Sequence, residues 1–343
     1  MTTIPEPQHS IAAMIDAAHE AVSDKPRLHL GASILGHHCD RWLWLSFRWA
    51  VIEKFPGRIR RLFRRGHNEE AWIVADLKMI GIEIGATEGE QTYLKLGGHI
   101  GGSTDGVIES GVPDAPYKKH VAEFKTHSKK SWDEVATKGV KSAKPMHYTQ
   151  MQLYMYGTQI DRALYVAVCK DDDRIYTERV RYDKDHAEKA LARGNRIAMD
   201  DRLPPPCSTD PSWYQCKFCA GHEFCHSTNL TKEVNCRTCA LSTAEANGTW
   251  TCTRWGGAVI PSETQYDGCD SHVLHPDLVP WKLIPGEADN EAIYEINGKH
   301  VRNGEADAFV FSSKEILANP SACSAQDDLV MKVRAKLDGR IQG

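Results

Sequence analysis

Asp105, Glu123 and Lys125 are the residues whose types and spacing could do chemistry. Strand-like alternation covers Ser103–Glu109 and His120–Lys125, and Gly111, Pro113, Asp114 and Pro116 supply a turn between them. If the chain reverses near Asp114, residues whose numbers sum to about 228 face one another, so Asp105 lies opposite Glu123. Neighbouring strands lie about 5 Å apart, so both carboxylates can reach one hard cation. Period-two alternation puts Lys125 on the face of Glu123, with Phe124 on the opposite, core-facing side. Two carboxylates on a divalent metal, with a lysine to orient or deprotonate the attacking water, can hydrolyse a phosphodiester. Glu-x-Lys alone is more often a cross-strand ion pair on a surface hairpin. The run Gly101-Gly102-Ser103-Thr104-Asp105-Gly106 shifts that balance, because its glycines let backbone approach Asp105 closely.

The elements that must position these residues follow from periodicity. Helical spacing covers Ile11–Val22, then a Trp-rich stretch from about Asp40 through Trp42, Trp44, Phe47 and Trp49, then a long helix from Arg58 to Met79 carrying His67. Gln91–Leu96 alternates as a strand. After the Glu123 strand come helices at Lys130–Thr137 and Pro145–Tyr156, the second with Pro145 suited to a first helical turn. Arg162–Cys169 is a buried strand and Arg174–Tyr182 an alternating one, joined by the acidic turn Asp171–Asp173. A helix over Asp185–Met199 follows, and Pro204-Pro205-Pro206 closes the unit. No internal repeat is present.

A chain of 343 residues has room for about two domains. Its 41% hydrophobic and 26% charged residues are ordinary for a globular protein. The net charge of −4 excludes a strongly basic nucleic-acid coat. Basic residues are clustered, however: Arg58, Arg60, Arg61, Arg64 and Arg65 in one group, Lys129, Lys130, Lys138, Lys141 and Lys144 in another. Such runs either track phosphates or form solvated helix faces. The segment Met1–Ser10 has no basic n-region or apolar h-region, and no apolar run is long enough to span a bilayer. The expectation is a cytoplasmic protein with no membrane partner.

Eleven cysteines without a secretory signal read as metal ligands rather than disulfides. Cys216-x2-Cys219-x5-Cys225, with Cys39 far upstream, can form a four-cysteine staple, and both zinc and an iron–sulfur cluster accept four thiolates. A second set, Cys236-x2-Cys239-x12-Cys252-x16-Cys269, suits tetrahedral zinc, with His272 and His275 just beyond. Its last ligand is open: Cys269 or His272 would serve, and both would if Cys252 is unused. Trp250 and Trp255 flank Cys252 and are expected to pack a small core around that metal. Cys169, Cys207 and Cys323 have no partner at metal spacing and read as free thiols. Near the end, Tyr294–Val301 reads as a hairpin turning at Asn297-Gly298.

Gly102-x-x-Asp105-Gly106 followed by Glu123-Phe124-Lys125 resembles the signature of the PD-(D/E)XK nuclease superfamily, in its RecB-like branch. The resemblance spans roughly residues 30 to 230. It implies that His67, in Arg65-Gly66-His67, is a further ligand of Mg²⁺ or Mn²⁺ beside Asp105 and Glu123, with the Phe124 carbonyl added. It also implies substrate contact by Gln150 and Tyr154, which match a Gln-x-x-x-Tyr motif. Spacing alone leaves open whether that face or the one bearing Tyr148, Gln152 and Tyr156 meets the substrate. One upstream Cys plus C-x2-C-x5-C, with the context Ser33-x5-Cys39-x-Arg41, is similar to the AddB helicase-nuclease subunit and the CRISPR-associated RecB-like exonucleases. That similarity implies a [4Fe-4S] cluster on Cys39, Cys216, Cys219 and Cys225, and a phage or prophage setting.

The expected fold is therefore α/β: a restriction-endonuclease-like core of mixed central sheet flanked by helices, with an iron–sulfur staple and a small zinc-binding module. The expected division is a nuclease core over residues 1–230, a cysteine-rich zinc module over 231–280, and a C-terminal appendage over 281–343. The expected activity is metal-dependent DNA exonuclease action on single-stranded ends, in recombination, repair or phage replication. A recombinase or single-strand-binding protein is a candidate partner. Competing readings are a non-catalytic DNA-binding or recombination-partner subunit that keeps the fold, and an interaction module built on zinc or iron–sulfur.

Overall fold

The computed structural model describes residues 10–22, 24–87, 89–286 and 290–342. In chain order the first elements are α1 (Ile11–Glu20), β1 (Leu30–Gly31), α2 (Ala32–Leu35), α3 (Asp40–Phe47) and α4 (Gly57–Met79). Then come β2 (Glu83–Gly85), β3 (Tyr93–Gly97), β4 (Ile100–Ser103), β5 (Gly106–Ser110) and β6 (His120–His127). The unit closes with α5 (Lys129–Ala143), α6 (Pro145–Thr158), β7 (Arg162–Cys169), β8 (Ile175–Arg181) and α7 (Lys184–Met199).

The molecule is mixed α/β. Its central sheet has the order β2-β5-β6-β7-β8, with β6 and β7 parallel and the other neighbours antiparallel. Alternate residues divide the core between its two faces. Ala122, Phe124, Leu164, Val166 and Val168 meet Ile73 and Leu77 of α4 on one face. Val121, Ala163, Tyr165 and Ala167 meet Val135 and Val140 of α5 and Met151 and Tyr154 of α6 on the other. A second sheet has the order β1-β4-β3, and the chain passes from its β4 into β5 of the first.

Several expectations needed correction. The stretch expected as one strand over Ser103–Glu109 is two strands in different sheets, with Thr104 and Asp105 at the corner between them. The Trp-rich helix ends at Phe47, because Trp49 takes a left-handed φ of 53° that no helix continues through. The helix expected to stop at Thr137 runs to Ala143 across a kink at Gly139, whose φ of 73° suits glycine. The hairpin register follows the turn arithmetic: Gly106 pairs with Ala122, Val107 with Val121 and Ile108 with His120. Asp114 sits in its turn at φ 60°.

Beyond α7 the chain forms α8 (Tyr214–Lys217), the small sheet β9 (Ser242–Ala244), β10 (Trp250–Cys252) and β11 (Ala258–Val259), and the sheet β12 (Lys282–Ile284), β13 (Ala292–Ile296), β14 (Lys299–Asn303) and β15 (Val310–Phe311). Helices α9 (Ser313–Ala318), α10 (Pro320–Ala325) and α11 (Asp328–Leu337) end it. The β13–β14 hairpin turns at Asn297 and Gly298, both at positive φ. Its residues Tyr294, Ile296 and Val301 share a core with Cys239, Val273 and Leu274, so the last segment packs against the second cysteine region. Trp250, Ala244 and Ile260 instead join the core of Trp44 and Phe47. Trp255 was expected in a local core but is 64% exposed, because the short turn carrying it lies outside the β9–β10–β11 sheet. Among the described residues, no helix is long and apolar enough to cross a membrane.

Candidate active site

Asp105 stands one residue before β5, at the corner where the chain passes between sheets. Its Oδ2 accepts a hydrogen bond from the Phe124 N–H at 2.8 Å, which pins the carboxylate beside β6. Glu123, in the middle of β6, has no exposed surface. Lys125 Nζ forms an ion pair with Glu123 Oε1, lies 3.6 Å from Asp105 Oδ2, and donates to the Phe124 carbonyl at 2.9 Å. The ammonium thus sits where two carboxylates and a carbonyl converge.

Burial raises the Glu123 carboxyl to about 8, with the Asp105 charge adding to the effect and the Lys125 ammonium opposing it. Burial alone would lower Lys125, yet the facing Glu123 and Asp105 carboxylates outweigh it and push the lysine up, so Lys125 stays protonated. Glu123 Oε2 is buried with no hydrogen-bond partner among the described residues. A buried carboxylate oxygen left bare costs free energy, and a cation is the partner that would satisfy it.

Tyr165 of β7 pairs in register with Glu123. The Tyr165 hydroxyl meets His127 Nε2 at 2.8 Å and His147 Nδ1 at 3.0 Å. Burial, with Lys144 and Lys125 nearby, lowers His127 to about 4, and burial, with Lys125 and His127, lowers His147 to about 2. Both imidazoles are neutral at physiological pH, so Lys125 is the cation beside Glu123.

A cleft of about 370 Å³ collects His67 and Glu70 from α4, Gly102 and Ser103 from β4, Asp105, and Gln150 and Tyr154 from α6. Arg27, His29 and Ser33 line its other wall. His67 and Glu70 lie one helical turn apart, with Nδ1 and Oε2 separated by 3.9 Å. Gln150 Nε2 reaches the Tyr154 hydroxyl at 3.4 Å. The glycines serve space rather than backbone conformation: none of Gly101, Gly102 and Gly106 has positive φ, but a Cβ on Gly102 would stand 2.8 Å from the Tyr154 hydroxyl. The other face of α6 is structural, since Gln152 bonds the Arg181 carbonyl and the Asp183 N–H, and Tyr148 reaches Asp183. Sequence reasoning missed Glu70, whose only signal was its helical spacing from His67.

Cys39, Cys216, Cys219 and Cys225 line one cavity, and Cys207 joins them. Cys39 caps α3, its sulfur accepting from the Trp42 N–H at 3.5 Å, and Cys219 accepts from the Gly221 N–H at 3.4 Å. Arg193 of α7 clamps the Cys39 segment through the Leu35 and His37 carbonyls and Asp40, while Arg41 bonds the Pro204 carbonyl. Burial pushes the Cys219 thiol up to about 11, with Cys225, Cys39 and Cys216 adding to the rise. Sequence spacing gave no sign of Cys207, because the turn after Pro204–Pro206 delivers it from outside the motif.

In the second set, Cys239 accepts from the Leu241 and Val273 N–H groups, both at 3.4 Å. Burial raises Cys236 to about 12 and Cys239 to about 11, and both feel Cys252 and Cys269 nearby. His272 is occupied elsewhere: Nδ1 meets Ser313 Oγ at 2.8 Å, and Nε2 lies 3.1 Å from the Asn235 carbonyl. His275 is likewise buried, accepting from the Asp277 N–H. Among the described residues, no three His, Cys, Asp or Glu side chains stand close enough to hold a metal ion as they are placed. The donor chemistry suits a cation at each thiol set in one respect: Cys39, Cys219 and Cys239 already receive N–H bonds at sulfur, and thiols become ligands once a cation lowers their pKa.

The chain matches no protein-family profile and no curated protein. Among solved structures it is similar to SSO0001, at 18% identity and a TM-score of 0.39, covering 64% of this chain and 97% of that one. It is also similar to LHK-Exo, an alkaline exonuclease from Laribacter hongkongensis, at 16% identity and a TM-score of 0.33, covering 54% and 90%. The complex of LHK-Exo with dAMP gives the same identity and coverage, with a TM-score of 0.35. Likenesses this distant assign no family to the chain.

Proposed function

We propose that this protein is a metal-dependent deoxyribonuclease with a restriction-endonuclease-like core, acting as an exonuclease on single-stranded DNA ends. The observation that carries the reading is the buried, unpartnered Glu123 oxygen beside Asp105 and Lys125. His67 and Asp105, which line the cleft, are the residues to hold Mg²⁺ or Mn²⁺ together with Glu123 and the Phe124 carbonyl on the strand to which Asp105 is bonded. When bound, such an ion stabilises charge on the phosphate and acidifies water.

This chain's own residues supply the rest. The Phe124 N–H fixes Asp105. Lys125, protonated and held between the carboxylates, fills the position a cation would share, and on displacement its ammonium is aimed at the same small volume to hold the attacking water. Gln150 and Tyr154 offer an amide and a hydroxyl toward the strand from the cleft wall. Cys39, Cys216, Cys219 and Cys225 are proposed to carry a [4Fe-4S] cluster, and Cys236, Cys239, Cys252 and Cys269 a zinc ion, both structural. Recombination, repair or phage replication is the proposed setting, with a recombinase or single-strand-binding protein as partner.

The test is release of nucleotides from an end-labelled single strand with Mg²⁺ or Mn²⁺. Wild type should degrade it, and Lys125→Ala should lose activity by about 10²–10³-fold or more. Equal activity in the two proteins sinks the reading in favour of a non-catalytic subunit.

A further inference from the structure

Two arginines of the basic run at the start of α4, Arg60 and Arg61, are half-buried under acidic partners, while Arg58, Arg64 and Arg65 are exposed. Helix α1 buries none of its residues and leaves Ile11 78% and Met14 61% exposed, so burial of its own side chains does little to hold it in place. Its attachments are carboxylates. Asp16 pairs with Arg61, Asp24 pairs with Arg60 at 2.9 Å, and Glu20 Oε1 accepts from the Gly57 N–H at 2.7 Å. Gly57 is the first residue of α4, so Glu20 occupies the anion position at the N-terminus of a 23-residue helix. Gly57 also permits the contact, since a Cβ there would lie 2.2 Å from the Asp16 carbonyl oxygen.

Of these groups, Asp24 and Arg60 line a groove that leads toward the cleft, and Glu20 lines a neighbouring pocket with them. Asp24, Arg60 and Phe55 line a pocket that also holds Arg27, His29 and Ser33. Arg27, His29 and Ser33 in turn line the cleft of His67, Asp105 and Gln150. Arg60 and His67 are seven residues apart on α4, nearly two turns and about 10 Å along one face. A chain of anions reaching Asp105 along this wall would meet Arg27 and Arg60 in turn.

We propose that the Ile11–Glu20 helix and Asp24 form a displaceable acidic cover, in which Asp16, Glu20 and Asp24 occupy places that backbone phosphates of the DNA strand take when it binds. This rests on the proposed action on DNA and adds how the substrate path is regulated. Each carboxylate meets a partner that binds phosphate equally well: two guanidinium groups and a helix N-terminus. Pairs that keep one partner in contact with solvent are individually weak, so a polyanion can replace them.

The test is fluorescence anisotropy of the full chain with a labelled oligothymidylate in EDTA, across a salt series. The Asp16→Asn/Asp24→Asn variant should bind about three- to tenfold tighter than wild type. Its log–log salt dependence should steepen by about 0.7 for each arginine unmasked, because no freed aspartate then recaptures a cation. Arg60→Ala/Arg61→Ala should bind more weakly with a shallower slope. Unchanged or weaker binding by the Asn variant overturns the proposal.

Hydrogen exchange on wild type gives an answer even if that variant misfolds. DNA should speed exchange within Ile11–Glu20, and slowed or unchanged exchange there overturns the cover. A protein that binds the oligonucleotide without cleaving it when metal is added sinks the nuclease reading and leaves this inference standing. A protein that cleaves, but whose affinity ignores Asp16 and Asp24, does the reverse.

Discussion

Glu123 is the residue on which the candidate site turns, because its environment pushes it in two directions. Burial holds its carboxyl up at about 8 against the pull of Lys125, so the metal-free Glu123–Lys125 pair as a unit keeps an extra proton at neutral pH. Metal uptake must release that proton. The sign follows: a raised carboxyl pKa opposes metal binding below it and stops doing so above it. Apparent Mg²⁺ or Mn²⁺ affinity should therefore weaken about tenfold for each pH unit below about 8 and level off above it. Titration calorimetry in two buffers of different ionisation enthalpy would show nearly one proton released near neutrality. A flat affinity between about pH 6 and pH 8, with no buffer dependence, would mean that Glu123 is not a ligand.

A second question at this scale is which thiols would hold the proposed iron–sulfur cluster. Burial raises Cys207 to about 12, and it lies within hydrogen-bonding reach of Cys39 and Cys216, so five thiols surround one cavity. Four suffice for a [4Fe-4S] cluster. Cys207 is the exposed member of the five, whereas Cys39 and Cys216 are buried. Cys216→Ser should lose the brown absorbance and the bound iron, and Cys207→Ser should keep both. Loss of colour in both variants would make Cys207 a ligand, and a colourless, zinc-loaded wild type would remove the iron–sulfur proposal.

The elements show how far the sequence could be read. The hairpin that brings Asp105 to Glu123 was legible, because a turn marked by Gly111, Pro113 and Asp114 fixes register for every pair that follows. The buried strand Arg162–Cys169 was legible from its unbroken apolar run. The break at Thr104–Asp105 was not. Gly, Ser and Thr carry no apolar alternation, so nothing in their order marks a change of sheet. The two-residue β1 and three-residue β2 are too short for any period to register. Nor could spacing choose which face of α6 lines the cleft. That choice depends on Gly102, which leaves room for the Tyr154 ring, and on Arg181 and Asp183, which occupy Gln152 from elements far along the chain.

Over the whole molecule, the second cysteine region is built into the core that carries the cleft. Arg237 lies between Cys236 and Cys239 and is 1% exposed. Its guanidinium donates to the Leu28 carbonyl at 2.7 Å, the Phe47 carbonyl at 2.9 Å and Gln265 Oε1, and stands 3.9 Å from the centre of the Trp49 ring. Leu28 is flanked by Arg27 and His29, both on the cleft wall. Whatever fixes Cys236 and Cys239 therefore also fixes Arg237, and through it the segment that borders the candidate cleft. If this set carries the proposed zinc, removing the ion should loosen more than its own sheet. Chelation should speed amide hydrogen exchange over residues 28–49 and lower the Tm of the central core. Arg237→Met should reproduce that loosening with zinc still bound, at a cost of about 3 kcal/mol from hydrogen bonds to a charged group. If chelation instead frees only the β9–β10–β11 sheet, with exchange at Leu28 and Phe47 unchanged, the cysteine region is an independent module that merely rests on the core.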